Sequence, residues 1–559
     1  TYAAHILGYI AAMDPDEYTE YKQQGYAMNA LVGKSGVEKA FESYLHGSSG
    51  IKKTTVSSTG EILNRYYVTE PVPGNNVELT IDISLQAVAE HALEKVILYL
   101  RETGVGTKKE GKDAQGGAVV VQMCKTGEIL AMASYPTYNL ATFNQDYTTL
   151  NADEMRPLFN RALASFPPGS VYKMVTAIAA VDMGGFDPGY IIEDKGLYTF
   201  YESFQPKCHI WSLANPRTHG KINLMEAIAY SCNYYFFEVA NRLGIERLNR
   251  WAERLGLTSL TGVELTGETT GIVGGQDVLF DNSLIRADGE AMTLGDQKTS
   301  LPSYVYRVLK DRLYGYLALS GKAADDEDVT RCALLLMQLQ DGKLEGKGAD
   351  ARRIIAETIG IPEGITRVQP WIEEIMSILN EIQWKATQTI RAGIGQGVSL
   401  VTPVAVARYV AAIANGGTVY DVHIVDKVID SSGVIVNEIE PSVYDKIDAP
   451  SDYWNAIREG LKGVVSPEDG GTASKKFSQE FQDKGYLARI SGKTGTAQVG
   501  NDTIDIENTS WFVTYAPRDN ADIAIVVCVP SGYSGSSSAP AIEDLSLIHI
   551  SEPTRRVVI

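Results

Sequence analysis

Cysteine, histidine and long apolar runs are scarce in this sequence, and each scarcity excludes a class of site. The five cysteines lie far apart without a Cys-x-x-Cys pair, and the seven histidines form no His-Glu-x-x-His motif. This pattern indicates neither a zinc site nor a disulfide framework. No run of apolar residues is long enough to predict a membrane span.

Basic residues are outnumbered by acidic ones. The chain has 50 Lys+Arg against 69 Asp+Glu, a net charge of −19, which disfavours binding to nucleic acid or to an anionic membrane surface. Its 559 residues exceed the length of one ordinary domain, and this length alone predicts roughly two to four domains. With 44% hydrophobic and 21% charged residues, the composition is that of a globular protein with a large core.

Both ends of the sequence are unusual. The chain begins with Thr1 rather than Met, so we expect any signal or anchor to lie upstream of it. Residues 545–559 resemble the translation of a sequencing adapter, and we interpret them as an artefact that replaces the natural terminus after about Asp544. We expect no functional role for these residues.

Turn residues and hydrophobic periodicity divide the chain. A Pro/Gly/Asn-rich stretch at 70–76 predicts a boundary between a first domain at 1–72 and a second at 73–544. Helical spacing predicts a helix at 85–100 with Asp82 or Ser84 as its N-cap. The remaining predictions are buried helices at 171–183 and 224–243, mostly charged helix at 300–388, a helix at 403–415, a hairpin at 118–133 and a terminal antiparallel sheet from 489–498, 509–516 and 521–529.

The most informative segment contains a Ser-x-x-Lys motif. Ser170 follows Pro-Pro-Gly and opens an apolar helix, so Lys173 shares its face and is expected to be buried. Burial lowers the pKa of a lysine, which makes it a competent base for an adjacent serine nucleophile. The alternative is an N-cap serine beside a lysine that reaches solvent. Ser49 and Lys52 repeat the spacing in a Gly/Ser turn, and we attribute that copy to chance.

Two further motifs contain polar groups that could act together with Ser170 and Lys173. Ser231 and Asn233 interrupt an apolar stretch, and buried polar side chains need partners, for which Lys173 is the candidate. The alternative is a solvent-facing Ser/Asn pair in a loop. In the segment from Lys493 to Thr496, the ammonium and hydroxyl groups suit an anion, and Gly495 permits close approach of a ligand. A strand edge here could pair with an extended peptide.

Other interpretations of the third motif fail. A phosphate-binding P-loop needs a first glycine at the position of Leu487. A second Lys-Thr-Gly begins at Lys125, where a hairpin turn explains it.

In this order, Ser-x-x-Lys, Ser-x-Asn and Lys-Thr-Gly resemble the active-site motifs of penicillin-binding proteins and serine β-lactamases. Similarity in further segments, including 73–82, 127–132 and 395–397, extends over most of 1–300 and 390–544 and resembles class B penicillin-binding proteins of the penicillin-binding protein 2 type. The resemblance implies an α+β penicillin-binding/serine transpeptidase fold, mainly an antiparallel sheet flanked by helices, after an elongated pedestal remnant. The helical insert at about 300–388 departs from the family.

The resemblance also implies roles for the motif residues. Ser170 would attack a D-alanyl-D-alanine stem peptide, Lys173 would take its proton, and Ser231 and Asn233 would relay protons and hold the donor. Lys493, Thr494 and Thr496 would bind the terminal carboxylate, with Gly495 in the same substrate-binding segment. The backbone N–H groups of Ser170 and Thr496 would form the oxyanion hole. The implied enzyme is a serine-type D-Ala-D-Ala transpeptidase that β-lactams acylate, without metal or cofactor.

The same resemblance implies the partners and the location of the protein. We expect peptidoglycan stem peptides, β-lactam antibiotics and cell-wall synthesis proteins such as a glycosyltransferase as partners, and no nucleic acid. The expected location is the extracytoplasmic face of the cell membrane, with an N-terminal anchoring helix upstream of Thr1. The alternatives within the fold are a D,D-carboxypeptidase and a β-lactam sensor or non-catalytic scaffold.

Overall fold

The computed structural model describes residues 1–105, 110–202, 204–279, 300–323, 325–340, 347–498, 507–545 and 556–558. Among these residues, none of the helices is both long enough and apolar enough to cross a bilayer.

The N-terminal region is built from short elements and one long hairpin. Ala3, Ile6, Val37 and Phe41 are buried and belong to the same apolar core as the following domain. The hairpin of β3 and β4, by contrast, is exposed along its whole length. The elements are α1 (Ala4–Leu7), β1 (Ile10–Ala12), α2 (Pro15–Tyr21), β2 (Leu31–Gly33), α3 (Gly36–Ala40), α4 (Glu42–Leu45), β3 (Ile51–Val56) and β4 (Ile62–Thr69).

The second region begins with a strand and a long helix, and the helix includes the segment predicted at 85–100. Asp82 is the N-cap of α5, because its carboxylate accepts hydrogen bonds from the backbone N–H groups of Ser84 and Leu85. The elements up to the end of the second motif are β5 (Asn76–Asp82), α5 (Ile83–Thr103), β6 (Gly117–Met123), β7 (Ile129–Tyr135), α6 (Phe143–Ala152), α7 (Lys173–Ala179), β8 (Ile192–Asp194), β9 (Trp211–Ser212), β10 (Asn215–Pro216), β11 (Gly220–Ile222), α8 (Leu224–Ala229) and α9 (Asn233–Leu243).

Two predicted helices are interrupted in the structure. The segment predicted at 171–183 consists of a 3₁₀ turn at Gly169–Tyr172, helix α7 and a second 3₁₀ turn at Ala180–Asp182. The segment predicted at 224–243 is not one helix, because residues 230–232 separate α8 from α9. Continuous helix would bury the Ser231 hydroxyl among apolar neighbours, whereas the break directs it to polar partners.

The region at 300–388 contains helices with a core of their own. Leu309, Leu313, Leu336 and Ile375 belong to an apolar cluster that is separate from the main core. The elements of the central part of the chain are α10 (Ile245–Arg254), α11 (Gln276–Leu279), α12 (Ser300–Ser320), α13 (Asp326–Met337), α14 (Gly348–Ile359), α15 (Trp371–Leu379), α16 (Ala386–Ala392) and α17 (Pro403–Asn415).

A five-stranded antiparallel sheet organises the second region. Its strands, in order, are β16 (Ser491–Ala497), β17 (Thr509–Ala516), β18 (Ile523–Val529), β6 and β7. Helix α5 contacts β7, and α17 contacts β6, β17 and β18. Strand β16, which carries the third motif, is an edge strand of this sheet. The last elements are β12 (Thr418–Tyr420), β13 (Val425–Ile429), β14 (Ile435–Glu438), β15 (Val443–Lys446), α18 (Ser451–Val465), α19 (Gln479–Asp483), β16 (Ser491–Ala497), β17 (Thr509–Ala516), β18 (Ile523–Val529) and β19 (Arg556–Val558).

A second sheet, in the order β14-β13-β5-β19, joins distant parts of the sequence. Its last strand, β19, lies in the segment 545–559 that we interpret as an artefact.

Candidate active site

The three motifs meet at one cleft. This cleft, of about 850 Å³, is lined by Ser170, Ser231, Asn233, Thr494 and Thr496 together with residues from several loops and from α9 and α16. The second copies of the motifs lie elsewhere: Ser49 and Lys52 are at the base of the exposed hairpin, and Lys125 turns the chain between β6 and β7. Only the motif copies that we selected from the sequence therefore share a cavity.

The serine of the first motif lies on a tight turn that fits against β16. Gly169 has φ 54°, and a Cβ at this position would come within 2.4 Å of the carbonyl oxygen of Thr496, so only glycine fits here. Trp511 Nε1 donates to the carbonyl oxygen of Pro167 at 2.8 Å, and the Tyr409 hydroxyl donates to that of Val171 at 2.8 Å. These bonds hold the turn from both sides. Ser170 lies in the 3₁₀ turn and Lys173 begins α7 three residues later, so the two residues are about one turn apart.

Lys173 is completely buried and bonds to the second motif. Its Nζ donates to the carbonyl oxygen of Ser231 at 2.6 Å, to Ser231 Oγ at 3.1 Å and to Asn233 Oδ1 at 2.6 Å. Burial lowers the pKa of Lys173 to about 8, because the low-polarity interior disfavours the ammonium form. Lys173 is therefore partly neutral near pH 8 and can accept a proton there.

The second motif occupies the break between α8 and α9. The backbone of Ser231 has φ 52°, which is uncommon for a residue other than glycine. Asn223 and Glu226 form a capping box that fixes the start of α8, and Asn233 is the first residue of α9. Strain of this kind, of about 1–3 kcal/mol, persists only where the surroundings enforce it. Here it turns the Ser231 hydroxyl toward two lysines.

The second of these lysines belongs to the third motif. Lys493 is completely buried, and its Nζ donates to Ser231 Oγ at 2.8 Å and to the carbonyl oxygen of Thr494 at 3.0 Å. Burial, together with the nearby charge of Lys173, lowers the pKa of Lys493 well below its usual value. Two ammonium groups on one hydroxyl repel each other, so the pair favours a state with a single positive charge. The Ser231 hydroxyl can then accept from one nitrogen and donate to the other.

Around β16, three residues that the sequence analysis did not select as site residues make polar contacts. Thr472 Oγ1 is 2.9 Å from Thr494 Oγ1, and the backbone N–H of Gly535 donates to Thr496 Oγ1 at 2.8 Å. Gln396 donates through Nε2 to the carbonyl oxygen of Thr496 at 3.0 Å and accepts at Oε1 from the N–H of Gln498 at 3.1 Å. Gln396 lies in the glycine loop that carried part of the resemblance, whereas Thr472 and Gly535 carry no sequence signal.

Beside the second motif, four side chains form a group with the character of a metal site. The ligand atoms of Asp194, Cys208, His219 and Cys232 all lie within 4.8 Å of one another. The two sulfurs are 3.8 Å apart, and Cys208 Sγ is 3.5 Å from His219 Nδ1. A tetrahedral zinc ion with Zn–S bonds of about 2.3 Å requires ligand separations close to these values. The residues therefore fit a zinc-like ion.

Titration of this group is consistent with ligand chemistry. The pKa of Cys208 is lowered through its hydrogen bonds to Cys232 and the neighbouring histidines. Burial opposes the charged form of His219, but its hydrogen bonds to Asp194 and Cys208 raise its pKa to about 9. Burial and the proximity of Cys208 raise the pKa of the Cys232 thiol. A divalent cation binds thiolates, carboxylates and neutral imidazole, and it displaces the protons that such groups otherwise share.

The sequence analysis missed this group because its members come from different elements. Asp194 ends β8, Cys208 and His219 lie in the segment between β8 and β11, and Cys232 stands between Ser231 and Asn233. Their spacing matches no short metal-binding motif, so only the fold brings them together. Because Cys232 is the central residue of the second motif, an ion held here would also fix the turn that carries Ser231 and Asn233.

Comparison with known proteins agrees with this geometry. The family model described as "Penicillin binding protein transpeptidase domain" matches residues 117–289 and 371–546. The model described as "Penicillin-binding Protein dimerisation domain" matches residues 1–79. The interval between the two transpeptidase segments contains α12, α13 and α14.

Individual proteins that are similar to this chain agree with the family models. The chain is 26% identical to the "Peptidoglycan D,D-transpeptidase MrdA" of Haemophilus influenzae, over 96% of this chain and 66% of that protein. A chain in the structure titled "Structural coordination of polymerization and crosslinking by a peptidoglycan synthase complex" is 25% identical, with a TM-score of 0.66 over 97% of this chain and 74% of that one. The penicillin-binding protein 2 of Helicobacter pylori, solved in complex with MreC, is 22% identical with a TM-score of 0.63, over 98% and 77%.

These matches cover more than half of the chain and both of its regions. The chain spans about two thirds of the length of the H. influenzae relative. On the family models, the shared fold and the convergence of the three motifs, the chain belongs to the penicillin-binding protein transpeptidase family.

Proposed function

We propose that the protein is a peptidoglycan D,D-transpeptidase that works through a seryl acyl-enzyme. The observation that carries this proposal is the buried Lys173–Ser231–Lys493 chain beneath the cleft into which Ser170 opens. An otherwise weak serine nucleophile needs a nearby base, and a buried lysine with a lowered pKa is such a base. The similarity to the peptidoglycan D,D-transpeptidase MrdA of H. influenzae supports the same activity.

In the first step, Ser170 Oγ attacks the carbonyl carbon of the D-alanyl-D-alanine bond, and Lys173 Nζ takes the hydroxyl proton. The backbone N–H groups of Ser170 and Thr496 stabilise the oxyanion, a contribution of about 3 kcal/mol for each donor. Lys493, Thr494, Gly495 and Thr496 hold the terminal carboxylate. As the amide bond breaks, the departing D-alanine nitrogen takes a proton that passes from Lys173 through Ser231.

In the second step, an amine of a neighbouring stem peptide attacks the ester carbonyl. The amine loses a proton to Lys173, Ser170 regains its own, and a new amide cross-links the two peptides. Asn233 holds Lys173 and the donor amide during both steps. Water in place of the amine would give a carboxypeptidase, so the two activities differ only in the acceptor. A β-lactam acylates Ser170 because its ring amide takes the place of the scissile bond.

The location and partners follow from this substrate. Stem peptides are on the extracytoplasmic side of the membrane, so we infer that the enzyme works there, with its anchor upstream of Thr1. We also infer a polymerising glycosyltransferase as a partner. The titles of two similar structures, a peptidoglycan synthase complex and a complex with MreC, support assembly with cell-wall proteins of this kind.

The test is intact mass after incubation with benzylpenicillin. The parent protein should gain one stable adduct, and Ser170→Ala should gain none. Ser49→Ala is the matched control, because it removes the serine of the second Ser-x-x-Lys copy, and it should retain the adduct. Absence of an adduct on a parent with a cooperative thermal unfolding transition would overturn the proposal. An adduct that disappears within minutes would instead indicate a β-lactamase.

A further inference from the structure

A polar cavity lies outside the catalytic cleft, between the end of α17, helix α18 and the turn that joins β17 to β18. This Arg458 cavity has a volume of about 350 Å³, and its lining includes Arg458, Lys462, Tyr515 and Arg518. An adjoining cavity of about 330 Å³ also contains Arg458 and adds Lys125. Of the described residues that line the two cavities, none also lines the catalytic cleft. The cavities are therefore separate from the three motifs.

The Arg458 cavity and its neighbour have an excess of positive charge, although the chain has a net charge of −19. Four cations and two acids line them: Lys125, Arg458, Lys462, Arg518, Glu459 and Asp519. Lys462 forms a salt bridge of 3.2 Å with Glu459, and Asp519 offsets part of the charge of Arg518. Within the described part of the chain, Arg458 forms no salt bridge. A local excess of this sign attracts anions.

The two guanidinium groups are held in place and still have free N–H groups. Arg458 donates through Nη2 to Asn455 Oδ1 at 2.8 Å. Arg518 donates through Nε and Nη2 to the carbonyl oxygen of Ile490, at 3.2 and 3.0 Å, and through Nη2 to that of Leu487 at 3.2 Å. A guanidinium has five N–H donors, so both groups retain donors for a ligand. Because both are already oriented, binding would immobilise little additional side chain.

Tyr515 contributes a buried hydroxyl that lacks a partner. Its side chain lines the cavity and is 1% exposed. Among the residues that the structure describes, neither this hydroxyl nor that of the neighbouring Ser491 has a partner with hydrogen-bond geometry. Burial raises the pKa of Tyr515 to about 12, although Ser491, Arg458 and Arg518 act against the rise. The phenol is therefore a protonated donor close to both arginines, and an acceptor from outside would satisfy it.

The donor set fits a phosphate group. Two guanidinium groups and a phenol present only N–H and O–H donors to the cavity, and a phosphate offers several charged acceptor oxygens to such a set. A carboxylate has two oxygens and would satisfy fewer of these donors. The volume of about 350 Å³ equals the space of roughly ten water molecules, which leaves room for an ester group beside the phosphate.

We propose that Arg458, Arg518 and Tyr515 form a binding site for a phosphate group, carried either by the free ion or by a small phosphate ester. This inference goes beyond the proposed transpeptidase function and does not depend on it. Arg518 holds the carbonyl oxygen of Ile490, directly before β16. A phosphate bound to Arg518 would therefore also stabilise the start of the strand that carries Lys493.

The experiment is isothermal titration calorimetry on the full chain at constant ionic strength. The probes are inorganic phosphate and glycerol 3-phosphate. At least one of them should bind at a single site with a Kd below about 1 mM. Tighter binding of inorganic phosphate would identify the free ion as the ligand, and tighter binding of glycerol 3-phosphate would identify a phosphate ester. Absence of saturable binding of both probes up to about 10 mM would overturn the proposal.

The variants determine whether binding occurs at the Arg458 cavity. Arg458→Gln should weaken binding at least about tenfold, Arg458→Lys less, and Tyr515→Phe roughly three- to tenfold. Arg217→Gln is the control for charge, because Arg217 is exposed and outside both cavities. Tyr172→Phe is the control for the phenol, because it removes another buried hydroxyl without a partner, also outside the cavities. Both controls should keep the parent affinity.

Penicillin acylation shows that the variants are folded. Arg458→Gln and Tyr515→Phe should both still form the adduct at Ser170, because neither residue lines the catalytic cleft. If Tyr515→Phe does not fold, Arg458→Gln alone decides. Unchanged phosphate affinity in a folded Arg458→Gln variant would overturn the site. The proposed transpeptidase function would be unaffected by that result, since it depends on the adduct at Ser170.

Discussion

Lys493 Nζ donates a hydrogen bond of 2.8 Å to Ser231 Oγ, across 262 residues of sequence. This bond joins the second motif to the third, while Lys173 approaches the same hydroxyl at 3.1 Å from the first. Ser231 thus contacts both buried lysines, and it offers a path for a proton between them.

Removal of this hydroxyl should slow acylation. We expect Ser231→Ala to lower the benzylpenicillin acylation rate about 10²- to 10⁴-fold, the usual contribution of a positioned proton-transfer group. Stopped-flow or mass-resolved kinetics measure this rate. Ser231→Gly is the companion variant, because it also lacks the hydroxyl but relieves the φ of 52°. Recovery of the parent rate in the glycine variant would mean that backbone strain, not proton transfer, explains the effect.

The acylation rate should depend on pH through Lys173. Its pKa is lowered to about 8, and the neutral amine is the base, so the rate should rise with pH and level off above about pH 8. At pH 7 it should be roughly a tenth of the plateau value. A pH profile of the second-order acylation rate constant tests this. Because Lys173 and Lys493 interact, the midpoint of the pH profile reports the titration of both lysines together. A rate that falls as pH rises from 6 to 8 would contradict a lysine base.

A side chain at Gly169 should disturb the nucleophile. We expect Gly169→Ala to slow acylation and to destabilise the fold by about 1–3 kcal/mol, because the new Cβ would lie 2.4 Å from the Thr496 carbonyl oxygen at a φ of 54°. Acylation kinetics and thermal unfolding measure the two effects. Gly184→Ala is the matched control, since nothing lies within 4 Å of its added Cβ. Equal behaviour of the two variants would show that the turn can move away without loss.

The group formed by Asp194, Cys208, His219 and Cys232 should hold one divalent metal ion of zinc-like preference. Elemental analysis of protein purified without chelator should give about one zinc per chain, and His219→Ala should lose it. Because the ion would stabilise the folded state, a chelator should lower the thermal unfolding temperature of the parent.

Cys332→Ala is the control for this metal prediction, because Cys332 is a buried cysteine in α13, outside the group. It should retain the metal. A disulfide between Cys208 and Cys232, whose sulfurs are 3.8 Å apart, is the competing outcome. It would be recognised by an intact mass about 2 Da lower, by two fewer free thiols and by the absence of zinc, and it would overturn the metal prediction.

The local sequence pattern was sufficient to predict many of the helices and strands. The helix predicted at 403–415 coincides with α17 (Pro403–Asn415), and the strand predicted at 509–516 coincides with β17 (Thr509–Ala516). In both segments, the hydrophobic periodicity and the flanking turn residues predict the same element that the folded structure contains. The prediction at 224–243 was wrong in one respect, because apolar periodicity continues across residues 230–232, where the chain actually leaves the helix. The polar partners that require this break are supplied by other parts of the chain.

The sequence by itself determined the chemical types at the candidate site: a serine with a lysine one turn on, a Ser/Asn pair in an apolar stretch, and a Lys-Thr-Gly-Thr strand. These are short-range features, and each depends only on neighbouring residues. The tertiary structure alone decided that Lys173, Ser231 and Lys493 bond to one another, that Gly169 fits against Thr496, and that Arg458 and Tyr515 line one cavity. It also decided that Asp194, Cys208, His219 and Cys232 converge. Such contacts join residues tens to hundreds of positions apart, and burial of the shared core sets their distances, which no local periodicity encodes.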